Sequence, residues 1–140
     1  MRKKLVYNVT NKIRRMILMT RGEMEYVLKR MVQINRAIRR KETTAKFYVG
    51  NRKETIEITD EVYIIREVLK DIKDRQNGLI RYIIESKIEK GDTDEKLIIR
   101  LPMSKNAYYH IKKQIEERVY QGCIKKGIVE YIDLLKEEIN

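Results

Sequence analysis

Apolar residues recur at helical spacing along most of the chain, and this periodicity restricts the fold more than any other feature. From Met24, apolar side chains return at Leu28 and Met31, with basic residues on the other faces of the same segment. The 140 residues include one proline, Pro102, so proline interrupts the helical pattern at one place only. We therefore predict a mainly α-helical protein with a helical N-terminal part.

A helix-start signal separates the first two predicted helices. Val9 and Ile13 keep helical spacing toward Thr20. There, Thr20-Arg21-Gly22-Glu23 matches a capping box, in which the threonine and glutamate side chains bond each other's backbone. One helix is predicted to end at Thr20, and the next to run from there to about Glu42.

The period changes between residues 45 and 58. Phe47 and Val49 alternate with polar neighbours before the turn dipeptide Gly50-Asn51. Ile56 and Ile58 alternate in the same way after it. A period of two is typical of strands, so a small β-hairpin is favoured over a loop.

Two further helical segments are predicted after the hairpin. Thr59 is placed to cap a helix that Gln76-Asn77-Gly78 is expected to break. Gly91 supplies the left-handed residue that closes the next segment, Leu79 to Glu89. The stripes predicted to be buried are Val62, Ile65, Leu69 and Ile72 in the first segment, and Ile80, Ile83, Ile84 and Ile88 in the second.

The C-terminal third has the pattern of a helix-turn-helix. Asp92-Thr93-Asp94-Glu95 is a helix start, and Leu101-Pro102-Met103 is a tight interruption. Ser104 then caps a second helix, which is expected to end at Tyr120 or Gln121. Apolar residues stand where two such helices would face each other and the core, at Leu97, Leu101, Met103, Tyr108 and Ile111.

The outer face of the second helix is basic and polar, which suits the major groove of DNA. Lysines and the capping hydroxyl suit phosphates, so Ser104, Lys112 and Lys113 are expected there. An amide suits adenine, and rings offer edges to bases. Asn106, Tyr109 and His110 are therefore expected toward bases. The full predicted DNA-binding set is Ser104, Lys105, Asn106, Tyr109, His110, Lys112 and Lys113.

The alternative for this segment is an ordinary amphipathic surface helix with a solvated basic face. Pro102 stands where glycine is frequent in such turns, and Ile98 stands where a small residue is usual, so the turn must differ from the repressor type. Tyr108 is in phase with Ile111 and is expected in the core, whereas Tyr109 is expected to point outward.

The stretch from Leu101 to Ile115, LPMSKNAYYHIKKQI, resembles the ArpU and RinA families of phage late-gene transcription regulators. The C-terminal region of those families looks like the helix-turn-helix of region four in sigma factors, and Ser104, Tyr108-Tyr109 and Lys112 match its pattern. The similarity covers residues 76 to 125. It implies promoter binding and activation of phage late genes, with contact to the host RNA polymerase.

Two regions follow from these patterns. Residues 1–75 form a basic helical N-terminal region with the hairpin and a long helix, and residues 76–140 form a helix-turn-helix DNA-binding domain. The net charge of +11 favours a polyanion through counterion release. Residues 1–42 carry +10 and residues 96–128 carry +6, whereas residues 54–95 carry −5. The basic N-terminal helices are either a second DNA-contacting arm or a solvated face.

Double-stranded DNA is the expected partner. RNA stays open, although no aromatic stacking platform is evident in the sequence. A two-fold DNA site would need a homo-oligomer. The segment from Val129 to Ile139 has an apolar edge that either closes the core or pairs protomers.

The sequence argues against an enzyme, a metalloprotein and a membrane protein. Cys123 and His110 are the single cysteine and histidine, so neither an internal disulfide nor a Cys/His zinc site can form. No phosphate-binding glycine loop or nucleophile elbow occurs, so no catalytic residue, metal or cofactor is predicted. The basic start precedes no long apolar run, and the cytoplasm of a bacterial host is expected, with no membrane partner.

A rival function of a different class is a protein-interaction adaptor or oligomeric scaffold. In this hypothesis the long acidic helix from Asp60 and the amphipathic helices dock on RNA polymerase. Nucleic-acid binding is then incidental, weak and indifferent to sequence.

Overall fold

Helices make up most of the described residues, and a small hairpin lies between two of them. The computed structural model describes residues 18–76 and 78–131. The predicted helix from Val9 and most of the segment up to Ile139 lie outside these residues. In chain order the elements are α1 (Arg21–Lys29), α2 (Met31–Arg39), β1 (Thr44–Val49), β2 (Arg52–Glu57), α3 (Asp60–Arg75), α4 (Leu79–Ile83), a π-helix (Ile84–Glu89), α5 (Asp94–Arg100) and α6 (Lys105–Lys125). The mainly α fold with a small hairpin is confirmed.

The predicted helix starts are confirmed by hydrogen bonds from backbone amides to capping side chains. At α1, the Glu23 amide donates to Thr20 Oγ1 over 3.1 Å, and the Thr20 amide donates to Glu23 Oε1 over 2.8 Å. Thr59, Thr93 and Ser104 accept in the same way from the amides three residues ahead. Each cap satisfies an amide that the helix itself leaves without an acceptor.

The helix predicted to reach Glu42 is interrupted and ends earlier. Arg30 leaves helical geometry at φ −105° and ψ 17°, which separates α1 from α2. Lys41 then takes a left-handed φ of 59°, and the Glu42 amide donates back to the Ala37 carbonyl over 2.9 Å. These are the bonds of a Schellman motif, in which lysine replaces the usual glycine.

The hairpin lies where the change of period predicts it. β1 and β2 are antiparallel, and Gly50, with a φ of 63°, begins the turn that joins them. Ala45 and Ile56 are paired in the register and buried, and β1 packs against α2. Tyr48 is on the other face and is 71% exposed.

The central contact of the core is between α3 and α6. Gly122, within α6, lies so close to α3 that a Cβ atom at this position would be 2.5 Å from Val68 Cγ1. The predicted stripe of α3 is buried at Val62, Ile65 and Leu69, while Ile72 is partly exposed. Side chains from both halves of the chain share one hydrophobic cluster.

The segment from Leu79 to Glu89 is helical, as predicted, but its second half is a π-helix. The Lys90 amide donates to the Glu85 carbonyl over 3.0 Å, a bond that spans five residues. Ile83 and Ile84 are fully buried, whereas Ile80 and Ile88 are partly exposed. Gly91, with a φ of 84°, follows the segment as expected.

The beginning of the last segment closes the core. Val129 is 2% exposed and forms a parallel bridge with Met19, which precedes α1. The Met19 amide donates to the Ile128 carbonyl over 3.0 Å, and the Glu130 amide donates to Met19 over 2.9 Å. Residues 132–139, the rest of the predicted apolar edge, lie outside the described residues.

Candidate nucleic-acid interface

The predicted pair of helices is present as α5, a short connection and α6. The Leu101 amide donates to the Leu97 carbonyl over 2.9 Å, which ends α5. Leu101 then takes an extended conformation, with φ −90° and ψ 140°, as expected for a residue before proline. Leu97 and Tyr108 are fully buried, and Leu101, Met103 and Ile111 pack against the core in part. The helix after the connection reaches Lys125, beyond the predicted end at Gln121.

A polar network ties α5 to α6. The hydroxyl group of the buried Tyr108 donates a hydrogen bond to Asp94 in the first turn of α5. Lys112 Nζ is 3.1 Å from the second oxygen of the same carboxylate. Lys87 Nζ is 3.6 Å from Asp94 Oδ1. Partial burial of the carboxylate opposes its ionisation. The bonds from Tyr108 and Lys112 outweigh this and hold the pKa of Asp94 below its ordinary value of 3.8.

The seven predicted DNA-binding residues fall into two groups. Lys105, Asn106, Tyr109, His110 and Lys113 are exposed. Ser104 and Lys112 already have partners: the Ser104 hydroxyl caps α6 and Lys112 is held by Asp94. His110, although exposed, has its Nε2 atom 3.4 Å from Gln114 Nε2.

Tyr108 and Tyr109 divide as their phase in the helix predicts. Tyr108 is fully buried, and Tyr109 is 40% exposed. Their rings meet edge to face, with centroids 5.2 Å apart, and Lys112 Nζ is 5.6 Å from the Tyr109 centroid. These two contacts fix the exposed ring from the side of the core. The position of the exposed Tyr109 ring is therefore set by Tyr108 and Lys112.

The sequence interpretation missed the acidic limit of this face. Glu117 is exposed one to two turns beyond His110 and Lys113, and accepts hydrogen bonds from Gln121 over 3.0 Å and from Arg21 over 2.7 Å. These two bonds lower the pKa of Glu117 and keep its negative charge in place. The sequence contains the signal for this limit, because Glu117 is two helical turns after His110 and therefore lies on the same face. The face that suits a polyanion is therefore the N-terminal half of α6.

In residues 18–76 and 78–131, the potential metal ligands are dispersed and the single thiol is buried. No group of three or more His, Cys, Asp or Glu side chains in these ranges is placed to hold a metal ion. The Cys123 thiol is buried, which raises its pKa to about 11. No helix in the same ranges combines the length and apolar character needed to cross a bilayer.

Comparison of the chain with protein-family models, curated proteins and solved structures found no match. The resemblance of residues 101–115 to the ArpU and RinA families therefore stays a prediction. What the α5–α6 unit can bind is inferred from its exposed groups and their charge.

Neutralising Asp94 is expected to weaken the link between α5 and α6. Asp94→Asn keeps an acceptor for Tyr108 but removes the charge that holds Lys112, so the free energy of unfolding near pH 7 should fall by about 2 kcal/mol. Because the folded-state pKa of Asp94 is lowered, this contribution is present above its ordinary pKa of 3.8 and is lost as the pH falls through the folded pKa. Urea unfolding of both proteins from about pH 7 to about pH 2.5 measures the difference.

Glu95→Gln is the matched control for this variant. Glu95 is in the same first turn but is exposed, so its loss should cost about 0.5 kcal/mol through the helix dipole alone. Equal losses for the two variants, or a loss for Asp94→Asn that does not change with pH, would contradict the network.

Proposed function

We propose that the chain is a sequence-specific DNA-binding protein that regulates transcription, with the N-terminal half of α6 in the major groove. One observation carries the proposal: a single helix has a fully buried face and an opposite face of exposed polar and basic groups. The buried face contains Tyr108, Ile115 and Val119. The exposed face contains Lys105, Asn106, Tyr109, His110 and Lys113.

The exposed groups supply both kinds of contact that a specific DNA reader needs. The Asn106 amide can donate to and accept from an adenine edge, and Tyr109 and His110 flank it on the same side of the helix. Lys105 and Lys113 carry ammonium groups with no ion-pair partner among the described residues, so they are available to phosphates. We assign Lys112 to positioning, because Asp94 holds it.

The biological role follows from the resemblance of residues 101–115. A phage late-gene regulator would bind a promoter through α6 and contact the host RNA polymerase, acting as an activator in a bacterial cytoplasm. The excess of basic residues would draw the protein to DNA at any sequence first, and the α6 face would then select the site.

Selection from a library of duplexes with a randomised segment tests the proposal without knowledge of the operator. The selected duplex and a shuffled one are then compared by fluorescence anisotropy at several salt concentrations, with unlabelled nonspecific competitor present. We expect a preference of about a thousandfold and a steep fall of affinity with salt. Failure of the library to converge, with equal binding to both duplexes, would refute specific recognition.

One observation favours the adaptor as a second candidate. Ile99 in α5 is 84% exposed, the largest exposed fraction among the large apolar side chains of the described residues. An adaptor would use this side chain to dock on a protein such as RNA polymerase. Binding of purified bacterial RNA polymerase by the wild type and loss of that binding in Ile99→Asp, together with sequence-blind DNA binding, would select this function instead.

A further inference from the structure

A basic cleft lies apart from the exposed face of α6. It is bordered by α1, α2, the π-helix and the inner edge of α6, and its volume is about 620 Å³. This is the size of sites that hold small organic ligands. Its apolar wall includes Leu28, Val32 and Ile88. A ligand there would contact both apolar surface and charge.

The cleft has an excess of positive charge. Six basic side chains and two acidic ones line it. Lys29, Arg36 and Lys90 form no ion pair with any described residue, whereas Glu25 is already bound to Arg21 at 3.2 Å. Unpaired cations on several sides of one concave surface are the arrangement that binds a phosphate group.

Two residues that line the cleft each have a buried polar atom with no hydrogen-bond partner. Among the described side chains, Arg30 Nε and Gln33 Oε1 are buried without a hydrogen-bond partner, and both residues line the cleft. The Arg30 guanidinium carbon is 5.4 Å from the Tyr26 ring centroid and 5.3 Å from that of Phe47, so the aromatic rings hold the side chain in position. One atom is a donor that lacks an acceptor, and the other is an acceptor that lacks a donor.

We propose that this cleft binds a phosphorylated small molecule of nucleotide size. Lys29, Arg36 and Lys90 bind the phosphates, and the apolar wall covers the organic part. The Gln33 amide, on the same wall, forms a hydrogen bond with an amino or hydroxyl group of that part. The site is separate from the DNA-reading face, and neither proposal depends on the other.

A small ligand fits the observations better than a nucleic acid. A double helix is too wide to enter a cleft of this volume, which four elements border. A single strand would need basic residues to continue along an open groove, whereas Glu25 and Glu116 are part of the lining here. The basic side chains and Gln33 all belong to the lining of one cleft, whose volume suits a ligand of nucleotide size.

Titration of the full chain with fluorescent mant-ATP, at constant ionic strength, tests the site. Lys29→Gln/Lys90→Gln should weaken binding about tenfold or more, because each removed lysine takes away a charge-assisted contact. Arg39→Gln/Lys53→Gln removes the same charge from exposed positions outside the cleft and should change the affinity by less than about twofold. Circular dichroism confirms that each variant is folded.

Competition and one further variant identify what the cleft recognises. Unlabelled ATP should displace the probe at lower concentration than inorganic pyrophosphate, and Gln33→Leu should reduce the affinity for mant-ATP while leaving that for pyrophosphate unchanged. Equal losses in the two double variants would overturn the site in favour of diffuse electrostatic attraction. If a single-stranded oligonucleotide displaces the probe more effectively than ATP does, the proposal that the cleft binds a small molecule is wrong. If the cleft variants keep the preference of the wild type for the selected duplex, the cleft and the DNA-binding face are separate sites.

Discussion

Asn106→Ala/Lys113→Ala is expected to lower the affinity for the selected duplex by about a hundredfold and to leave the protein folded. Both side chains are exposed on the same face of α6, so their removal opens no cavity. An amide paired with adenine contributes about 1–3 kcal/mol of discrimination, and a lysine on a phosphate adds a further increment. Together they reach about 3 kcal/mol, which corresponds to the hundredfold loss.

Anisotropy with the selected and shuffled duplexes separates the two contributions. Lys113→Ala should lower the affinity for both duplexes and reduce the dependence of log affinity on log salt concentration by about one. Asn106→Ala should lower the affinity for the selected duplex alone. Gln121→Ala/Lys125→Ala removes the same two chemical groups from the C-terminal half of α6 and should alter affinity by less than about threefold. Similar losses in the two double variants would place the DNA-binding surface elsewhere.

The parts of the fold that depend on neighbouring residues were predictable from the sequence. Each capping bond at Thr20, Thr59, Thr93 and Ser104 joins groups three residues apart, so a short window of sequence contains both partners. The alternation that specified the hairpin is equally local. Tyr108 and Tyr109 could be assigned to opposite environments because adjacent positions in a helix differ by about 100°.

The features that depend on distant residues were not predictable. Lys112 was expected on phosphate, yet it is held by Asp94, which lies 18 residues earlier. The helix end at Lys41 has no glycine to mark it, because other bonds of the motif stabilise the left-handed lysine. The cleft combines residues from four elements, and the two unpartnered atoms of its lining residues become visible only when those elements are packed.

The predicted DNA contacts differ in how much of the fold they depend on. Five of the seven expected DNA contacts need only the phase of one helix, and all five are exposed. The other two are Ser104 and Lys112, whose polar groups the fold already uses. The phase of the helix therefore predicts which polar and basic residues of α6 are exposed, while tertiary contacts decide which of the predicted residues already have partners.

Gly122→Val is expected to reduce the free energy of unfolding by about 3 kcal/mol, through overpacking between α3 and α6. A Cβ atom at residue 122 would lie 2.5 Å from Val68 Cγ1 and 3.6 Å from its Cγ2, and valine in a helix has little rotamer freedom with which to move away. Gly122→Ala should cost about 1–2 kcal/mol, since the clash exceeds the gain of about 1 kcal/mol in helix propensity. Urea unfolding at neutral pH measures both losses.

Two further substitutions show whether the close approach of the helices is the cause. Gly22→Ala, in the first turn of α1, places a methyl group 3.9 Å from its nearest neighbour and should stabilise the protein by a few tenths of a kcal/mol or more. Adding Val68→Ala to Gly122→Ala removes the methyl groups that the new Cβ meets, so the double variant should be more stable than the sum of the single losses predicts. If Gly122→Ala instead stabilises the protein as Gly22→Ala does, a Cβ atom at residue 122 does not clash with Val68. The packing of α3 against α6 would then not require glycine at this position.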